Sequence, residues 1–316
     1  MAFGVSPVLA RLSLAALLTA GVLAAPHLAA RPALATEAAT NGAAIAYERD
    51  WLVTPKAARD LIAAGAVALD ARDPKLKAAE PLPGASVLVW QDLSEPNLPT
   101  KGRLIADDTV LTAKLQALGV SKDKPVVAVA DPVKGWGEDG RIVWTLRTLG
   151  HGKAVLVDGG LPALLKDGPL PVQAAAKGDF VVQRTDRFEI KREDLKASLG
   201  APGLVVIDAR EPREYEGKTP YGETRGGHVP GAKHIWYRDF LDKDGKLLPR
   251  AEIEKLLASK GVSKDTSIVS YCTGGIRSGW FTTVLNDLGY TARNYAGSMW
   301  DWSAAPPDQY PLVTQN

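Results

Sequence analysis

Residues Ser267 to Ser278 read S-I-V-S-Y-C-T-G-G-I-R-S, and this stretch decides the fold. A short apolar run of strand character (Ile268, Val269, Tyr271) ends at Cys272, the single cysteine of the 316-residue chain. Thr273, Gly274, Gly275, Ile276, Arg277 and Ser278 follow, and Gly279 to Leu288 then resumes with helix-like spacing of apolar residues. Strand, cysteine, glycine loop, helix is an arrangement with chemical consequences. A helix N-terminus leaves backbone N–H groups unpaired, and a glycine loop turns more of them inward. Such a ring of donors lowers a cysteine pKa, and the thiolate is the nucleophilic form. Arg277 adds a permanent positive charge that can hold an anion. A lone cysteine is more often an inert small hydrophobe in a core; the loop, the arginine and the helix behind them make Cys272 a candidate nucleophile.

Upstream of this stretch the chain alternates short apolar runs with helical patterns. Trp51 to Gly65 reads as an extended start and a short helix, with Thr54 as cap and Pro55 in the first helical position. Strands are expected at Val67–Leu69, Ser86–Trp90, Val126–Ala130 and Ala154–Val157, and helices at Leu111–Leu118 and Ile142–Leu149. Strand and helix alternating at this spacing indicate an α/β fold with a parallel sheet covered by helices. The order then repeats. Val205-Val206-Ile207-Asp208-Ala209-Arg210 answers Val67-Ala68-Leu69-Asp70-Ala71-Arg72, and His228 to Ala232 answers Pro81 to Ala85. Asp239 answers Asp92, Gly261 to Asp265 repeats Gly119 to Asp123 (GVSKD), and Leu288-Gly289 repeats Leu149-Gly150. A period this long means a duplicated domain rather than a solenoid. Aligned on GVSKD, Ala130 stands opposite Cys272, so the first copy has an empty site. That copy either walls the cleft beside the second or serves packing alone.

Length sets a prior of about two domains. A hydrophobic content of 46% with 23% charged residues is that of a globular protein rather than a disordered one. Two of the basic residues, Arg11 and Arg31, lie in the first 35 positions, which hold no acid, and these account for the whole formal charge of +2. The balanced remainder, with no basic stripe, argues against a nucleic-acid partner. Arg11, the apolar run Leu12 to Ala25 and Ala33-Leu34-Ala35 follow the pattern of a secretory signal peptide cleaved before Thr36. The run is short for a spanning helix, and an uncleaved anchor is the alternative. The expectation is an exported, periplasmic, monomeric protein with no stable membrane association after cleavage. A single unpaired cysteine in an oxidising compartment points again to chemistry rather than to a disulfide.

The pairing of an I-D-A-R strand end with G-H-V-P-G-A, followed by a strand ending in C-x-x-G-x-R-S, resembles the rhodanese homology domain. Two copies in tandem with the cysteine in the second alone are similar to the thiosulfate and 3-mercaptopyruvate sulfurtransferases, as is Tyr295 to Trp300 after the last strand. The resemblance covers about residues 47 to 316. It implies two tandem rhodanese-like domains, 47–172 without a nucleophile and 186–316 catalytic, joined by a linker at 173–185 after a tail at 36–46. Each would be a five-stranded parallel sheet flanked by helices. It also implies a persulfide mechanism. Cys272 attacks the outer sulfur of a small anionic donor such as thiosulfate, the loop N–H groups from Thr273 to Ser278 hold the persulfide, and cyanide or a thiol accepts the sulfur. No metal or organic cofactor is required.

Departures from that pattern bear on the substrate. The tandem thiosulfate enzymes carry cations directly after the cysteine, where this chain has Thr273 and Gly274. The mercaptopyruvate enzymes have a Gly-Ser/Ala-Gly-Val-Thr loop, which T-G-G-I-R-S does not match. The arginine that the tandem enzymes place after the D-A-R strand falls near Glu214, with Arg213 beside it. Arg225 is a candidate anion contact or a solvated loop arginine, and Asp208 either pairs with Arg277 or caps its own turn. His228, in a turn with Pro230 and Gly231, is expected to be structural, since thiolate attack on sulfur needs no base. His234 lacks companions for a metal site. Trp300 and Trp302 either line the pocket mouth or pack in the core, with the core expected, and Asp242 to Gly245 is expected to be a turn. A cysteine phosphatase needs five residues between Cys and Arg, whereas four stand here, and Tyr271 replaces the histidine usual before that cysteine. A protein that carries sulfur to a partner, without turnover, would use the same Cys272 persulfide.

Overall fold

A computed structural model describes residues 51–172 and 176–315; the expected signal segment (1–35) and the expected tail (36–46) lie outside the described residues. The first half contains β1 (Leu52–Val53), α1 (Pro55–Ala63), β2 (Val67–Asp70), α2 (Pro74–Ala79), β3 (Ser86–Val87), α3 (Asp108–Ala117), β4 (Val126–Val129), α4 (Glu138–Thr148), β5 (Ala154–Val157) and α5 (Gly160–Leu164). The second contains α6 (Arg192–Ser198), β6 (Leu204–Asp208), α7 (Pro212–Tyr215), β7 (Lys233–His234), α8 (Arg250–Ser259), β8 (Ser267–Tyr271), α9 (Ile276–Asp287), β9 (Thr291–Asn294) and α10 (Ser298–Ala304). The sheet orders are β1-β5-β4-β2-β3 and β7-β6-β8-β9, and every strand pair in both is parallel.

The second sheet thus has four strands rather than the expected five. In the place β1 takes beside β5, Glu189 makes a single parallel bridge to Asn294 of β9, flanked by Ile190 N–H to Asn294 O (3.1 Å) and Asn294 N–H to Phe188 O (2.9 Å). The chain before α6 thus takes the position of β1 with one pairing where β1 makes two, Leu52 with Leu156 and Val53 with Val157. The repeat is otherwise reproduced in detail. Asp92 Oδ2 accepts from Val89 N–H and Asp239 Oδ2 from Trp236 N–H, each closing a 3₁₀ turn after the short edge strand. Thr54 caps α1 by accepting from Ala57 N–H, with Pro55 at the first position, where its missing N–H costs nothing.

The segment expected to be a linker is held against the first half where it is described. Gly178 N–H donates to Gln116 O, Phe180 N–H to Val120 O, Gln183 N–H to Leu149 O and Thr185 N–H to Thr148 O. Phe180 is buried.

One hydrophobic core is common to the halves. It joins Leu69, Ala128, Ile142 and Trp144 of the first to Ile207, Phe240, Trp280 and Phe281 of the second, while Val127, Val129 and Val155 in one half and Val269, Tyr271 and Trp302 in the other fill separate outer cores. The shared core is built on α4 against α9. Each helix presents a glycine where they approach: a Cβ on Gly140 would lie 2.5 Å from Trp280 Cα, and one on Gly279 would lie 3.2 Å from Arg141 Cα. Thr283 Oγ1 donates to Gly140 O across the contact at 3.0 Å. Both helices start earlier than the apolar spacing indicates, because Gly137 and Gly275 in left-handed conformation turn the chain into the first turn. Arg277 and Ser278 consequently belong to α9 rather than to a free loop.

Glycine to alanine in an exposed helix interior stabilises by about 1 kcal/mol. At Gly140 the sign is expected to reverse: G140A should lose about 1–3 kcal/mol to overpacking against Trp280, read as a fall in urea midpoint at unchanged slope.

Candidate active site

Cys272 follows β8 immediately, beyond the carboxyl edge of its sheet, where open parallel sheets bind ligands. The register sets Tyr271 opposite Asp208, so Cys272 projects past the last backbone ladder. Its backbone is gripped by the turn after β9. Cys272 N–H donates to Ser298 Oγ (3.1 Å), and Met299 N–H and Trp300 N–H donate to the carbonyls of Cys272 and Thr273. Ser298 has φ +53, a conformation disfavoured for a non-glycine residue, and its hydroxyl is tied in turn to Tyr295 O at 2.7 Å.

Gly275 N–H points at Cys272 Sγ from 3.2 Å. Burial alone would raise the thiol pKa, but the Arg277 charge and hydrogen bonds from Ser278 and Gly274 outweigh it, and the pKa falls below the ordinary value. The loop is closed from behind. Ser278 Oγ donates to Asn294 Oδ1 (2.7 Å), Asn294 Nδ2 donates to Gly275 O (3.2 Å), and Arg141 Nη1 of the first half donates to the same carbonyl (3.0 Å). Gly275 stands at φ +81, and a Cβ there would lie 2.5 Å from that arginine nitrogen. Arg141 is fully buried, and burial lowers its pKa to about 10.

Arg277 is paired differently from either expectation. Its Nη1 and Nη2 donate to Glu214 Oε2 (2.5 Å) and Oε1 (2.8 Å), a bidentate fork between two buried side chains. Thr273 Oγ1 completes the triangle, accepting from Arg277 and donating to Glu214 Oε1 at 2.6 Å. Burial would raise the Glu214 carboxyl, but Arg277 and Thr273 hold it below the usual carboxylate range. Asp208 instead takes Arg210, whose N–H, Nε and Nη2 all reach its oxygens. The first half has the same pair, Asp70 with Arg72, beside an empty site. The D-A-R motif is therefore a strand-end clamp that two residues of separation already allow. Arg225 is neither the anion contact nor the solvated loop arginine expected: its guanidinium donates to the carbonyls of Ser303, Trp302, Ala305 and Tyr310, so it holds the C-terminal segment and is absent from the pocket lining.

His228 is buried, stacked on Tyr215, with Nδ1 2.9 Å from Tyr215 O; His234 Nε2 lies 2.8 Å from Arg210 O. Asp242 accepts from Asp244 N–H and Lys246 N–H in a turn. Trp302 is core, but Trp300 is not: it stacks on Trp90 and lines the pocket. A Cβ on Gly274 would fall 2.0 Å from the Trp300 ring, so the glycine lets the indole lie against the loop.

A cavity of about 250 Å³ opens above Cys272. Thr273, Gly274, Ile276, Arg277, Tyr221 and Trp300 line it from the second half, and Asp73, Trp90, Gln91, Trp136 and Glu138 from the first. The copy without a nucleophile therefore forms a wall of the pocket. Glu214, Arg141 and the first-half wall carry no local sequence signal, since each meets the loop only through tertiary packing. Chemically the site offers a buried thiol of lowered pKa and N–H donors able to hold a second, anionic sulfur.

Residues 191–305 match the family described as "Rhodanese-like domain". The chain is 34% identical over 200 residues to the thiosulfate sulfurtransferase of Pseudomonas aeruginosa, covering 62% of this chain and 73% of that one. It is 32% identical over 237 residues to a "Probable 3-mercaptopyruvate sulfurtransferase" of the same species, covering 71% and 82%. The crystal structure of Tum1 from Saccharomyces cerevisiae superposes with a TM-score of 0.70 at 20% identity, over 84% of this chain and 99% of that one, a likeness of fold.

Removing one member of a buried ion pair strands the other. R277M is expected to cost about 3–5 kcal/mol near neutral pH, and E214L/R277M, which removes both charges, to recover most of it. Because Glu214 has a depressed folded pKa, the pair stabilises above the ordinary glutamate value and its contribution is lost as pH falls through the folded one. The gap between wild type and R277M should accordingly narrow on acidification in urea melts.

Proposed function

Because the chain belongs to the rhodanese family and is a sulfurtransferase, we propose that it takes the outer sulfur of thiosulfate, or of a related sulfane donor, onto Cys272 and passes it to a thiol or to cyanide. The observation that carries this reading is the Gly275 N–H aimed at Cys272 Sγ from 3.2 Å, inside a cavity open to small molecules. In the first half-reaction the thiolate attacks the outer sulfur. The sulfur–sulfur bond of the donor breaks, its electron pair leaves with sulfite, and Cys272 becomes a persulfide anion. The N–H groups of the 273–278 loop are placed to stabilise that anion as an oxyanion hole would. In the second, the acceptor attacks the terminal sulfur and the electron pair returns to Cys272, a double displacement with ping-pong kinetics. Cys272 is the catalytic residue; Thr273, Gly274, Gly275, Ile276, Arg277 and Ser278 form the substrate cradle, with Arg277 held in place by Glu214 rather than free to fork an anion.

Residues 47–172 and 186–316 act in this reading as one unit, the first walling the pocket and the second holding the nucleophile. The chain works as an exported, periplasmic monomer on small molecules. 3-Mercaptopyruvate as donor has the support of a relative at 32% identity, against a loop of different composition.

Intact mass of protein recovered from the periplasm should begin at Thr36 and gain one sulfur after thiosulfate, losing it again on adding cyanide. C272S should gain none. Loading by 3-mercaptopyruvate and not by thiosulfate would transfer the assignment to that donor. Loading by neither would overturn the persulfide reading.

A further inference from the structure

The pocket walls are not those of a plain anion site. Four aromatic side chains line it, Trp90, Trp136, Tyr221 and Trp300, together with two carboxyls, Asp73 and Glu138. Among the described residues its one lining cation is Arg277, which is paired with Glu214 at the loop end of the cavity. Glu138 is the unexpected member. Counted back from the shared Leu-Gly helix ends, it stands in the first half where Arg277 stands in the second, so the duplicate carries a carboxylate at the position of the arginine and turns it to the same cavity. The side chain is buried and fixed, with Oε2 accepting Trp136 N–H at 2.8 Å. Its loop is pinned by the other half, Tyr237 Oη (3.2 Å) and Arg238 Nη2 (3.1 Å) both donating to Gly135 O. Burial raises the Glu138 carboxyl above its usual range, and the nearby acids Asp73 and Asp131 push the same way. A cation beside it would oppose both effects and favour the carboxylate.

Aromatic faces attract cations within about 6 Å of the ring centroid, and these rings already do so. The Arg277 guanidinium lies 5.3 Å from Trp136 and Lys101 Nζ 5.8 Å from Trp300. We propose that the acceptor discharging the Cys272 persulfide is a thiol bearing a positive charge, an aminothiol, whose ammonium is held by Glu138 and the surrounding aromatic faces. The inference rests on the persulfide reading. Loading Cys272 keeps an anion at the pocket floor, so a cationic acceptor meets negative charge below it, at the persulfide, and beside it, at Glu138. The acceptor thiol gives its proton to solvent, and its sulfur attacks the terminal persulfide sulfur. The bond to Cys272 Sγ breaks with the pair returning to the thiolate, and the ammonium is unchanged.

Three thiols of similar size separate charge from reach: cysteamine (cation), 2-mercaptoethanol (neutral) and mercaptoacetate (anion). Each is added at about pH 8 to wild-type protein preloaded with sulfur, and the loss of that sulfur is timed by intact mass and expressed per thiolate. Cysteamine should exceed mercaptoacetate by about tenfold or more, the neutral thiol falling between. E138Q should compress the order toward equality, while E138D keeps it. Failure of Cys272 to load would sink the persulfide reading itself. Normal loading followed by a flat or reversed order in the wild type would sink this proposal alone, and an order that survives E138Q would remove Glu138 from it. Should E138Q fold poorly, the wild-type order and E138D decide.

Discussion

The fork between Arg277 and Glu214 is the contact on which the site depends. Both side chains are buried, each is a costly charge without the other, and Thr273 is bonded to both. The pair therefore fixes the two ends of the loop at once, Thr273 directly after the cysteine and Arg277 in the first turn of α9. With its ends held, the backbone between them has little choice of direction, and its N–H groups converge on Cys272 Sγ. Arg277 thus acts at short range by position and charge without offering a free fork. That also separates the site from a phosphate-binding loop, in which an arginine must face the ligand.

Duplication gives the fold its second constraint. α4 and α9 cross with a glycine on each side, and the two sheets meet over one core. That approach is close enough for Arg141 of the first half to hold the Gly275 carbonyl of the second, and for Glu138 and Trp136 to reach the pocket. The copy without a nucleophile has the same clamps as the copy with one, Asp70 with Arg72 and Asp92 on its 3₁₀ turn, while its loop forms a wall of the pocket.

Local features were legible in the sequence because local physics sets them. The buried strands, the Thr54 cap, the glycine-bounded helix ends and the strand–cysteine–loop–helix order all follow from residues within a few positions of one another. The repeat made the two-sheet architecture legible as well. Long-range choices were not. Nothing near Glu214 signals that it faces Arg277 from 63 positions away. Asp208 had a cation two residues off in Arg210, and proximity along the chain won over the more distant Arg277. Arg225 offers five donors to whatever carbonyls lie near, and only the folded C-terminal segment shows which. For Trp300 the sequence left pocket mouth and core both open; its place against Gly274 depends on the turn at Ser298, a residue type that gives no warning of a left-handed backbone. The fifth strand of the second half is a single bridge at Glu189, a pairing that no local residue pattern marks.

The central claim is that the loop and Arg277 hold Cys272 as a thiolate against the cost of burying it. Ultraviolet titration of thiolate absorbance, wild type minus C272S, tests it most directly. The account predicts a midpoint below the ordinary cysteine value of about 8.5, so that the thiolate persists on lowering the pH past the point where a free thiol has taken up its proton. A midpoint at or above that value would mean that desolvation wins, and that the loop does not make a nucleophile of the chain's single cysteine.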